Sequence, residues 1–224
     1  MIKLSKRMEA NAAMISPCDT FCDVGCDHGY LSIYLVQKGI VKKAIAMDLR
    51  EGPLEHAKQN VQKKALEDQI ELRLSDGVDK LLNGEADSCL IAGMGGNVII
   101  HILTEGMDKF LNQKELVLQP QSEIDEVRRF LSVNGFFITD EDMVLEDNKF
   151  YPIIKVVPNT KAYSLSEEEL LYGPVLIKEK HPVLRMYLEK ELAVKKSILE
   201  KLPEGEALRR QDVCHRIQLI EGLL

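Results

Sequence analysis

Three aspartates, each placed where a short β-rich run ends, are the residues of this chain best suited to hold a ligand. Asp27 follows the first run within the segment 23–29 (DVGCDHG), Asp48 ends the second run, and Asp76 follows the third. The carboxyl ends of parallel strands meet at one edge of a sheet, so we expect the three carboxylates to converge there. Taken singly, each could be a loop or capping residue. Three in register indicate a binding site for a ligand that donates hydrogen bonds and carries positive charge.

The glycine loop around Asp27 favours a cationic ligand over a dinucleotide. In the fingerprint GxGxxG the second glycine lets a pyrophosphate approach the backbone, and here Asp27 stands in its place. A carboxylate about 4 Å from a phosphate costs on the order of 4 kcal/mol at an effective dielectric constant near 20, whereas it attracts an ammonium or a sulfonium. S-adenosylmethionine has this charge pattern, and Asp48 and Asp76 suit its ribose hydroxyls and adenine amino group. The candidate cofactor-binding residues are Asp23, Gly25, Cys26, Asp27, His28, Asp48, Leu49, Asp76 and Gly77.

The elements that must position these residues alternate between strands and helices. β-rich runs predict strands over 21–24, 43–48, 70–74, 88–92 and 116–118, and 3.6-residue periodicity predicts helices over 1–15 (N-capped by Ser5), 30–38, 53–64, 98–110 and 124–133. After Gly135 the runs 136–139, 143–145 and 150–157 follow without a helix and predict an antiparallel hairpin at the sheet edge. This order predicts an α/β fold with a doubly wound, Rossmann-like sheet and an antiparallel edge hairpin. In its strand inventory the predicted fold resembles the class I methyltransferases, a resemblance of architecture only.

The last sixty residues are predicted to be helical. A helix start at 164–169 and a break at 173–174 precede two long helical runs, 182–202 and 206–224, around a second break at 203–205. Lys195 interrupts the apolar seam of the first run, so self-association is not predicted. We expect a cofactor-binding domain over 1–160 and a C-terminal α-helical coiled-coil hairpin over 161–224. Its apolar positions recur in heptad steps at Leu188, Leu192, Leu199 and Leu202 and at Val213, Ile217, Ile220 and Leu224.

Several short segments carry a family resemblance that extends over nearly the whole chain. They are 4–7 (LSKR), 23–36 (DVGCDHGYLSIYLV), 52–54 (GPL), 75–77 (SDG), 91–96 (IAGMGG) and 118–120 (LQP). Together they resemble the TrmK family of bacterial tRNA (adenine-N1)-methyltransferases. The resemblance implies transfer of a methyl group from S-adenosylmethionine to N1 of adenine 22 in tRNA. The chain departs from the family pattern at Cys26 and Gly29, where Ser or Thr and Ala are usual, and at Gln121, where Asn is usual.

The end of the fourth strand is the candidate pocket for the methyl-accepting base. Methyltransferases of exocyclic amines place Asn or Asp before Pro-Pro-aromatic here, whereas this chain has Gly93-Met94-Gly95-Gly96, whose backbone and Met94 side chain could line a pocket. Gln119 and Pro120, at the end of the fifth strand, are the other candidates. Gly93 to Gly96 could instead form a tight strand-to-helix turn, and Gln119 could instead be a turn residue before Pro120. N1 of neutral adenine carries no proton, so no side chain is assigned as a general base, but the nucleotide must be unpaired or flipped out.

Charge and composition indicate where RNA could bind. The 224-residue chain has a formal net charge of −7, and residues 161–224 contain 11 basic and 11 acidic residues, so the whole excess lies in the first 160. We therefore expect tRNA contacts at the hairpin and the first helix rather than through overall charge. Any one of these residues could instead lie on a solvated helix face. The candidate tRNA-binding residues are Lys6, Arg7, Lys195, Lys196, Arg209 and Arg210.

The remaining sequence features predict the cellular setting. Five cysteines, an odd number, together with the lack of a leader or a long apolar span, predict a cytoplasmic protein without disulfides. No metal site and no membrane contact are predicted. Two rival functions stay open: a methyltransferase of a small molecule or protein on the same fold, and a non-catalytic binding module whose hairpin recruits a partner.

Overall fold

A seven-stranded sheet forms the centre of the protein, and the computed structural model describes residues 2–203 and 205–224. The strands are β1 (Cys18–Val24), β2 (Val41–Asp48), β3 (Ile70–Leu74), β4 (Ser88–Met94), β5 (Glu115–Pro120), β6 (Phe136–Glu146) and β7 (Lys149–Pro158). Their order across the sheet is β3-β2-β1-β4-β5-β7-β6. Strands β1 to β5 are parallel, and β7 is antiparallel to both β5 and β6.

Helices cover both faces of the sheet and form the C-terminal part of the chain. They are α1 (Lys6–Met14), α2 (Tyr30–Gln37), α3 (Glu51–Gln62), α4 (Gly96–Glu105), α5 (Met107–Phe110), α6 (Ile124–Val133), α7 (Glu167–Tyr172), α8 (Pro174–Lys178), α9 (Pro182–Lys201) and α10 (Ala207–Leu223). The predicted α/β fold class and the order of its elements are confirmed. Strand β1 pairs with β2 on one side and β4 on the other, and a crevice opens above the carboxyl ends at this switch point.

Two predicted elements, one helix and one pair of strands, differ from those observed. The helix predicted over 98–110 breaks at Gly106 into α4 and α5, and a Cβ added at Gly106 would lie 2.8 Å from Cε2 of Phe110. The runs 136–139 and 143–145 form one strand, β6, with a register shift between Ile138 and Asp140. Such a bulge re-aims side chains, and Glu141, which follows it, is 3% exposed.

The first helix is attached to the end of the sheet where the crevice opens. Ser5 caps α1 as predicted, accepting a hydrogen bond from the backbone N–H of Met8 at 3.3 Å. The backbone N–H of Lys6 donates to Oε1 of Glu146 at 2.7 Å, and Glu146 is the last residue of β6. Because β6 is antiparallel to β7, it runs in the same direction as β5. The start of α1 therefore lies at the carboxyl-end edge of the sheet.

A buried ion pair joins the C-terminal helices to the sheet. The side chains of Arg128 on α6 and Glu141 on β6 are 1% and 0% exposed, with Nε 2.8 Å from Oε1. Nη1 of Arg128 donates to the carbonyl of Leu170 at 2.8 Å, and the N–H of Val175 donates to Oε2 of Glu141 at 2.9 Å. Both charged groups thus have hydrogen-bond partners besides each other, which offsets part of the cost of their removal from water. The ion pair therefore fixes α7, through Leu170, and α8, through Val175, against the sheet.

Helices α9 and α10 form an antiparallel pair. Lys196 of α9 is paired with Glu221 near the end of α10 at 2.7 Å, while Leu202, which directly follows α9, packs with Val213 in the first half of α10. Most of the predicted seam is confirmed, but Leu224 is 45% exposed and lies beyond the end of α10. A coiled-coil supercoil stays a prediction. Of the predicted break at 203–205, residue 204 lies outside the described residues.

The helical pair extends past the edge of the sheet. His181, which precedes α9, lies 3.0 Å from Asp142 in the middle of β6, and Nζ of Lys190 lies 3.4 Å from the carbonyl of Asn148 in the β6–β7 turn. α9 therefore runs beside β6 toward its carboxyl end. At 1.5 Å per residue, the eleven residues of α9 that follow Lys190 extend the helix about 16 Å beyond this turn. Within residues 2–203 and 205–224, no helix is long and apolar enough to cross a membrane.

Candidate functional site

A cleft of about 520 Å³ lies above the carboxyl ends of the central strands. It contains eight of the nine predicted cofactor-binding residues, which come from the ends of β1, β2 and β3 and the loops that follow them. The expected convergence of Asp27, Asp48 and Asp76 is therefore observed. The eight residues are Asp23, Gly25, Cys26, Asp27, Asp48, Leu49, Asp76 and Gly77.

The loop after β1 is held open by its backbone conformation. Gly25 has φ +75°, and Asp27 has φ +51°, which is uncommon for a residue other than glycine. The N–H groups of Gly25 and Cys26 donate to the carbonyl of Met47 at 2.8 and 2.9 Å, which fixes the loop to β2. A Cβ at Gly25 would collide with the methyl group of Met94. The absence of a Cβ at Gly25 therefore allows Met94 to lie against this loop.

Asp48 is the most firmly held carboxylate of the cleft. Its Oδ1 accepts from the backbone N–H of Arg50 at 3.0 Å, and its Oδ2 accepts from the N–H of Asp27 at 3.3 Å. The residue is 7% exposed. Each carboxylate oxygen can accept a further hydrogen bond. Asp48 therefore has the capacity to accept two hydroxyl groups from a ligand in the cleft.

Asp23 lies deeper than the other acids. It is 4% exposed, and its Oδ2 accepts a hydrogen bond from the Ser32 hydroxyl at 2.7 Å. Burial raises the pKa of Asp23 to about 6, the Ser32 hydrogen bond opposes this shift, and the nearby Asp48 charge adds to it. A cation placed in this part of the cleft would be attracted by Asp23, Asp27 and Asp48 together.

The end of the cleft at β3 combines an acid with apolar surface. Asp76 is exposed at the rim, in a turn closed by the Ser75 hydroxyl, which accepts from the N–H of Lys80 at 3.1 Å. Leu49 and Val98, both lining the cleft, are 62% and 50% exposed. Apolar walls beside a hydrogen-bond acceptor suit a flat heterocycle that carries an amino group.

The predicted pocket for the acceptor base is only partly formed by the predicted residues. Gly93 (φ +78°) and Met94 line the cleft, and the β4–β5 register shifts between Ala92 and Met94. Gly95 and Gly96 lie behind it. The start of α4 packs so closely there that a Cβ at Gly96 would lie 2.5 Å from the carbonyl oxygen of Ser122. The close packing of this turn therefore requires a glycine at position 96.

Gln119 and Pro120 also lie outside the lining of the cleft, so direct contact of Gln119 with a base is not what the structure shows. Gln119 is 0% exposed. Its Oε1 accepts from Nη1 of Arg7 at 3.1 Å, and its Nε2 donates to the carbonyl of Pro120 at 3.1 Å. Both the oxygen and the nitrogen of the Gln119 amide are therefore hydrogen-bonded, and the oxygen fixes the side chain of Arg7, which does line the cleft.

His28 does not line the cleft, unlike the other predicted cofactor-binding residues. Its ring stacks between Tyr30 and His56, with centroid distances of 5.3 and 5.1 Å, and its Nε2 lies 3.7 Å from Oδ2 of Asp27. His28 therefore packs against Tyr30 of α2 and His56 of α3 and lies outside the cleft.

Helix α1 supplies a wall of the cleft that the sequence analysis missed. Arg7, Met8 and Asn11 face it, at the i, i+4 spacing that places residues on one side of a helix. Asn11 is 3% exposed, and its Oδ1 has no hydrogen-bond partner among the described residues. The helical spacing was visible in the sequence, but the side of the sheet against which α1 packs was not. The cleft is also lined by Arg50, His101 and Gln121, which the sequence analysis does not predict as lining residues.

The predicted tRNA-binding residues lie in two places. Lys6 is exposed at the start of α1, and Arg7 lies inside the cleft. On the helical pair, Lys196 is paired with Glu221, Arg209 with Glu206 at 3.1 Å, and Arg210 donates to the carbonyl of Leu202 at 2.8 Å. Lys195, Arg209 and Arg210 belong to the part that extends past the sheet edge.

Within the described residues, no group of three or more His, Cys, Asp and Glu could hold a metal ion.

Comparisons with known proteins identify close relatives along the whole chain. A family model described as TrmK, tRNA (adenine(22)-N(1))-methyltransferase, matches residues 21–222. The curated tRNA (adenine(22)-N(1))-methyltransferase of Bacillus subtilis is 34% identical over 233 residues, covering 100% of this chain and 98% of that protein. Sp1610 of Streptococcus pneumoniae in complex with S-adenosyl-L-methionine has TM-score 0.89 and 36% identity, covering 99% and 100% of the two chains. TrmK of M. capricolum in complex with S-adenosyl-homocysteine has TM-score 0.85 and 28% identity, covering 98% and 96%.

Proposed function

The chain belongs to the TrmK family of tRNA (adenine(22)-N(1))-methyltransferases, and we propose that the cleft above β1, β2 and β4 binds both its cofactor and its substrate base. The enzyme transfers a methyl group from S-adenosylmethionine to N1 of adenine 22 in tRNA. The observation that carries the assignment of the site is the convergence of Asp27, Asp48 and Asp76 at three adjacent strand ends in one cleft.

The cleft fits S-adenosylmethionine in charge and in shape. Asp48 has free acceptor capacity for the ribose hydroxyls, and Asp76 beside the apolar Leu49 and Val98 suits the adenine ring and its amino group. Asp23 and Asp27 line the cleft beside Gly25, and their carboxylates attract the ammonium and the sulfonium of the amino-acid end. When bound, this cofactor supplies an activated methyl group on sulfur.

The end of β4 is the proposed position of the acceptor base. Gly93 presents backbone and Met94 an apolar side chain to the cleft, while Gln121 and Arg7 lie 3.7 and 3.6 Å from where a Cβ of Gly93 would be. The chain needs only to align the N1 lone pair with the methyl carbon and the departing sulfur. As the new N–C bond forms and the C–S bond breaks, the positive charge passes from sulfur to adenine. The carboxylates of the cleft stabilise this cation without acting as a base.

The extended helical pair is the proposed docking surface for the rest of the tRNA. It projects past the same edge of the sheet at which the cleft opens, so an RNA with a flipped nucleotide in the cleft would pass beside it. Its basic residues can contact phosphates, as can Lys6 at the start of α1. The proposal includes a division of the chain into a cofactor-binding domain, residues 1–160, and a tRNA-binding part, residues 161–224. It also includes a cytoplasmic location, where tRNA is modified. The proposed phosphate contacts on the pair are Lys195, Lys196, Arg209 and Arg210.

Titration with S-adenosylhomocysteine tests the cofactor site. We expect Asp48→Asn to weaken the affinity of the protein for S-adenosylhomocysteine, measured by calorimetry, about tenfold to a hundredfold. The reason is that the amide has one acceptor oxygen for the two ribose hydroxyls, whereas the carboxylate has two. Asp68→Asn removes an exposed carboxylate outside the cleft and should leave the affinity unchanged. Wild-type affinity in Asp48→Asn, with a normal thermal midpoint, would refute the assigned orientation of the cofactor.

A further inference from the structure

Three aromatic rings stack on one another outside the cleft. The centroid of the His28 ring lies 5.3 Å from that of Tyr30 and 5.1 Å from that of His56, and the interplanar angles are 24° and 25°. Tyr30 is 36% exposed, and the side chain of His28 is 40% exposed. Within residues 2–203 and 205–224, neither Tyr30 nor His56 stacks on any ring other than His28. The two end rings of this aromatic stack can therefore take a further flat partner.

Two helices hold the aromatic stack in place. Tyr30 is the first residue of α2, and His56 lies in the middle of α3. A Cβ at Gly29 would lie 3.2 Å from Cβ of Ala57, so the start of α2 packs closely on α3. Nδ2 of Asn60 donates to the carbonyl of His28 at 3.0 Å and ties the middle ring to the same helix. The rings are thus positioned before a partner arrives, which lowers the entropic cost of binding.

The aromatic stack begins at the rim of the cleft. Asp27 and Leu31, which flank the segment from His28 to Tyr30, both line the cleft. Among the described residues, none of α3 lines it, so His56 is the far end of the stack and Tyr30 the near end. A nucleic acid with one base in the cleft therefore has its neighbouring nucleotides close to Tyr30.

The flipping of adenine 22 creates a need for such a surface. A nucleotide that leaves its stack exposes a face of each flanking base, at a cost in free energy. Every base has a π-face, so an aromatic side chain can replace the lost stacking without reading the sequence. Nε2 of His28 lies 3.7 Å from Oδ2 of Asp27, and this carboxylate disfavours a phosphate at the stack but not a neutral base.

We propose that Tyr30, supported by His28 and His56, stacks on a tRNA base next to adenine 22 while that adenine occupies the cleft. This inference rests on the proposed function, because it needs the acceptor base in the cleft. It adds an RNA contact that is separate from both the cofactor site and the helical pair.

The test combines a change in the protein with a change in the RNA. Tyr30→Ala removes the ring, and two tRNA transcripts carry an abasic residue, one directly before adenine 22 and one directly after it. With the intact transcript we expect Tyr30→Ala to weaken tRNA binding about fivefold to a hundredfold, as the loss of one stacked base implies, and Tyr30→Phe to stay within about twofold of the wild-type protein. With one of the two abasic transcripts, Tyr30→Ala and the wild-type protein should bind equally well, because the stacking partner is already missing.

Phe137→Ala is the matched control. Phe137 is 46% exposed, and its ring lies 5.2 Å from that of Tyr163, so this variant also removes an exposed ring from an aromatic pair. It lies at the start of β6, at the edge of the sheet opposite the cleft, and should bind tRNA as the wild-type protein does. All variants should bind S-adenosylhomocysteine with wild-type affinity, which also shows that they are folded.

Three results would overturn the inference. The first is unchanged tRNA affinity in Tyr30→Ala, and the second is a loss of affinity that persists with both abasic transcripts. The third is an equal loss of affinity for S-adenosylhomocysteine, which would assign Tyr30 to the shape of the cofactor site. A failure of the proposed function would look different, since the wild-type protein would then leave adenine 22 of the intact transcript unmethylated.

Discussion

Replacing Asp23 by Asn should stabilise the cofactor-free protein in a pH-dependent manner. Burial raises the pKa of Asp23 from 3.8 to about 6, so the folded state holds its proton more tightly than the unfolded state does. Ionising this group in the folded protein therefore costs stability, and the cost appears as the pH rises from about 4 to about 6. At 1.36 kcal/mol per pKa unit it amounts to roughly 3 kcal/mol above pH 7 and to roughly half of that at pH 5.

Urea unfolding at pH 8 and at pH 5 measures this difference. Asp23→Asn keeps an acceptor for the Ser32 hydroxyl and removes the charge, so its gain in free energy of unfolding should be largest at pH 8 and fall by about half at pH 5. The exposed Asp68→Asn should show no such dependence. A gain that is equal at both pH values, or larger at pH 5, would refute the assignment of a raised pKa to Asp23. The same variant should bind S-adenosylhomocysteine more weakly.

Three further predictions concern the framework and the RNA surface. Arg128→Met leaves a buried carboxylate unpaired, and urea unfolding should report a loss of about 3–5 kcal/mol; a loss below about 1 kcal/mol would contradict this. Gly96→Ala brings a Cβ within 2.5 and 2.7 Å of two carbonyl oxygens and should lower the thermal midpoint, whereas Gly52→Ala on α3 meets no atom within 4 Å and should raise it slightly; equal shifts would count against the packing argument. The double substitution Lys195→Glu and Arg209→Glu should weaken tRNA binding about tenfold or more and leave the affinity for the cofactor unchanged. Unchanged tRNA affinity would exclude the helical pair as the docking surface.

The fold was predictable from the sequence because its signals are local. Apolar periodicity identified the strands and most helices, and a single segment such as Ile124–Val133 was predicted with its observed bounds. The break at Gly106 was not predictable, because it depends on the proximity of Phe110 and Val78 in the folded protein. Nor was the burial of Arg128, since its partner Glu141 reaches the interior only through the bulge in β6.

The candidate site was predictable where it depends on strand ends and not where it depends on packing between distant segments. Asp48 ends β2 and Asp76 lies just after β3, so their convergence follows from the topology of the sheet. The place of Arg7 depends on how α1 crosses the sheet, and 112 residues separate it from Gln119. Gln119 was correctly placed at the end of β5, but the partners of its amide could not be inferred from the chain.

The most direct test of the account is the identity of the methylated nucleoside. Unmodified tRNA transcripts with adenine or guanine at position 22 would be incubated with the protein and S-adenosylmethionine, digested, and analysed by mass spectrometry against nucleoside standards. We predict N1-methyladenosine from the adenine-22 transcript and none from the guanine-22 transcript. N6-methyladenosine, no product, or N1-methyladenosine in equal amount from both transcripts would contradict the account.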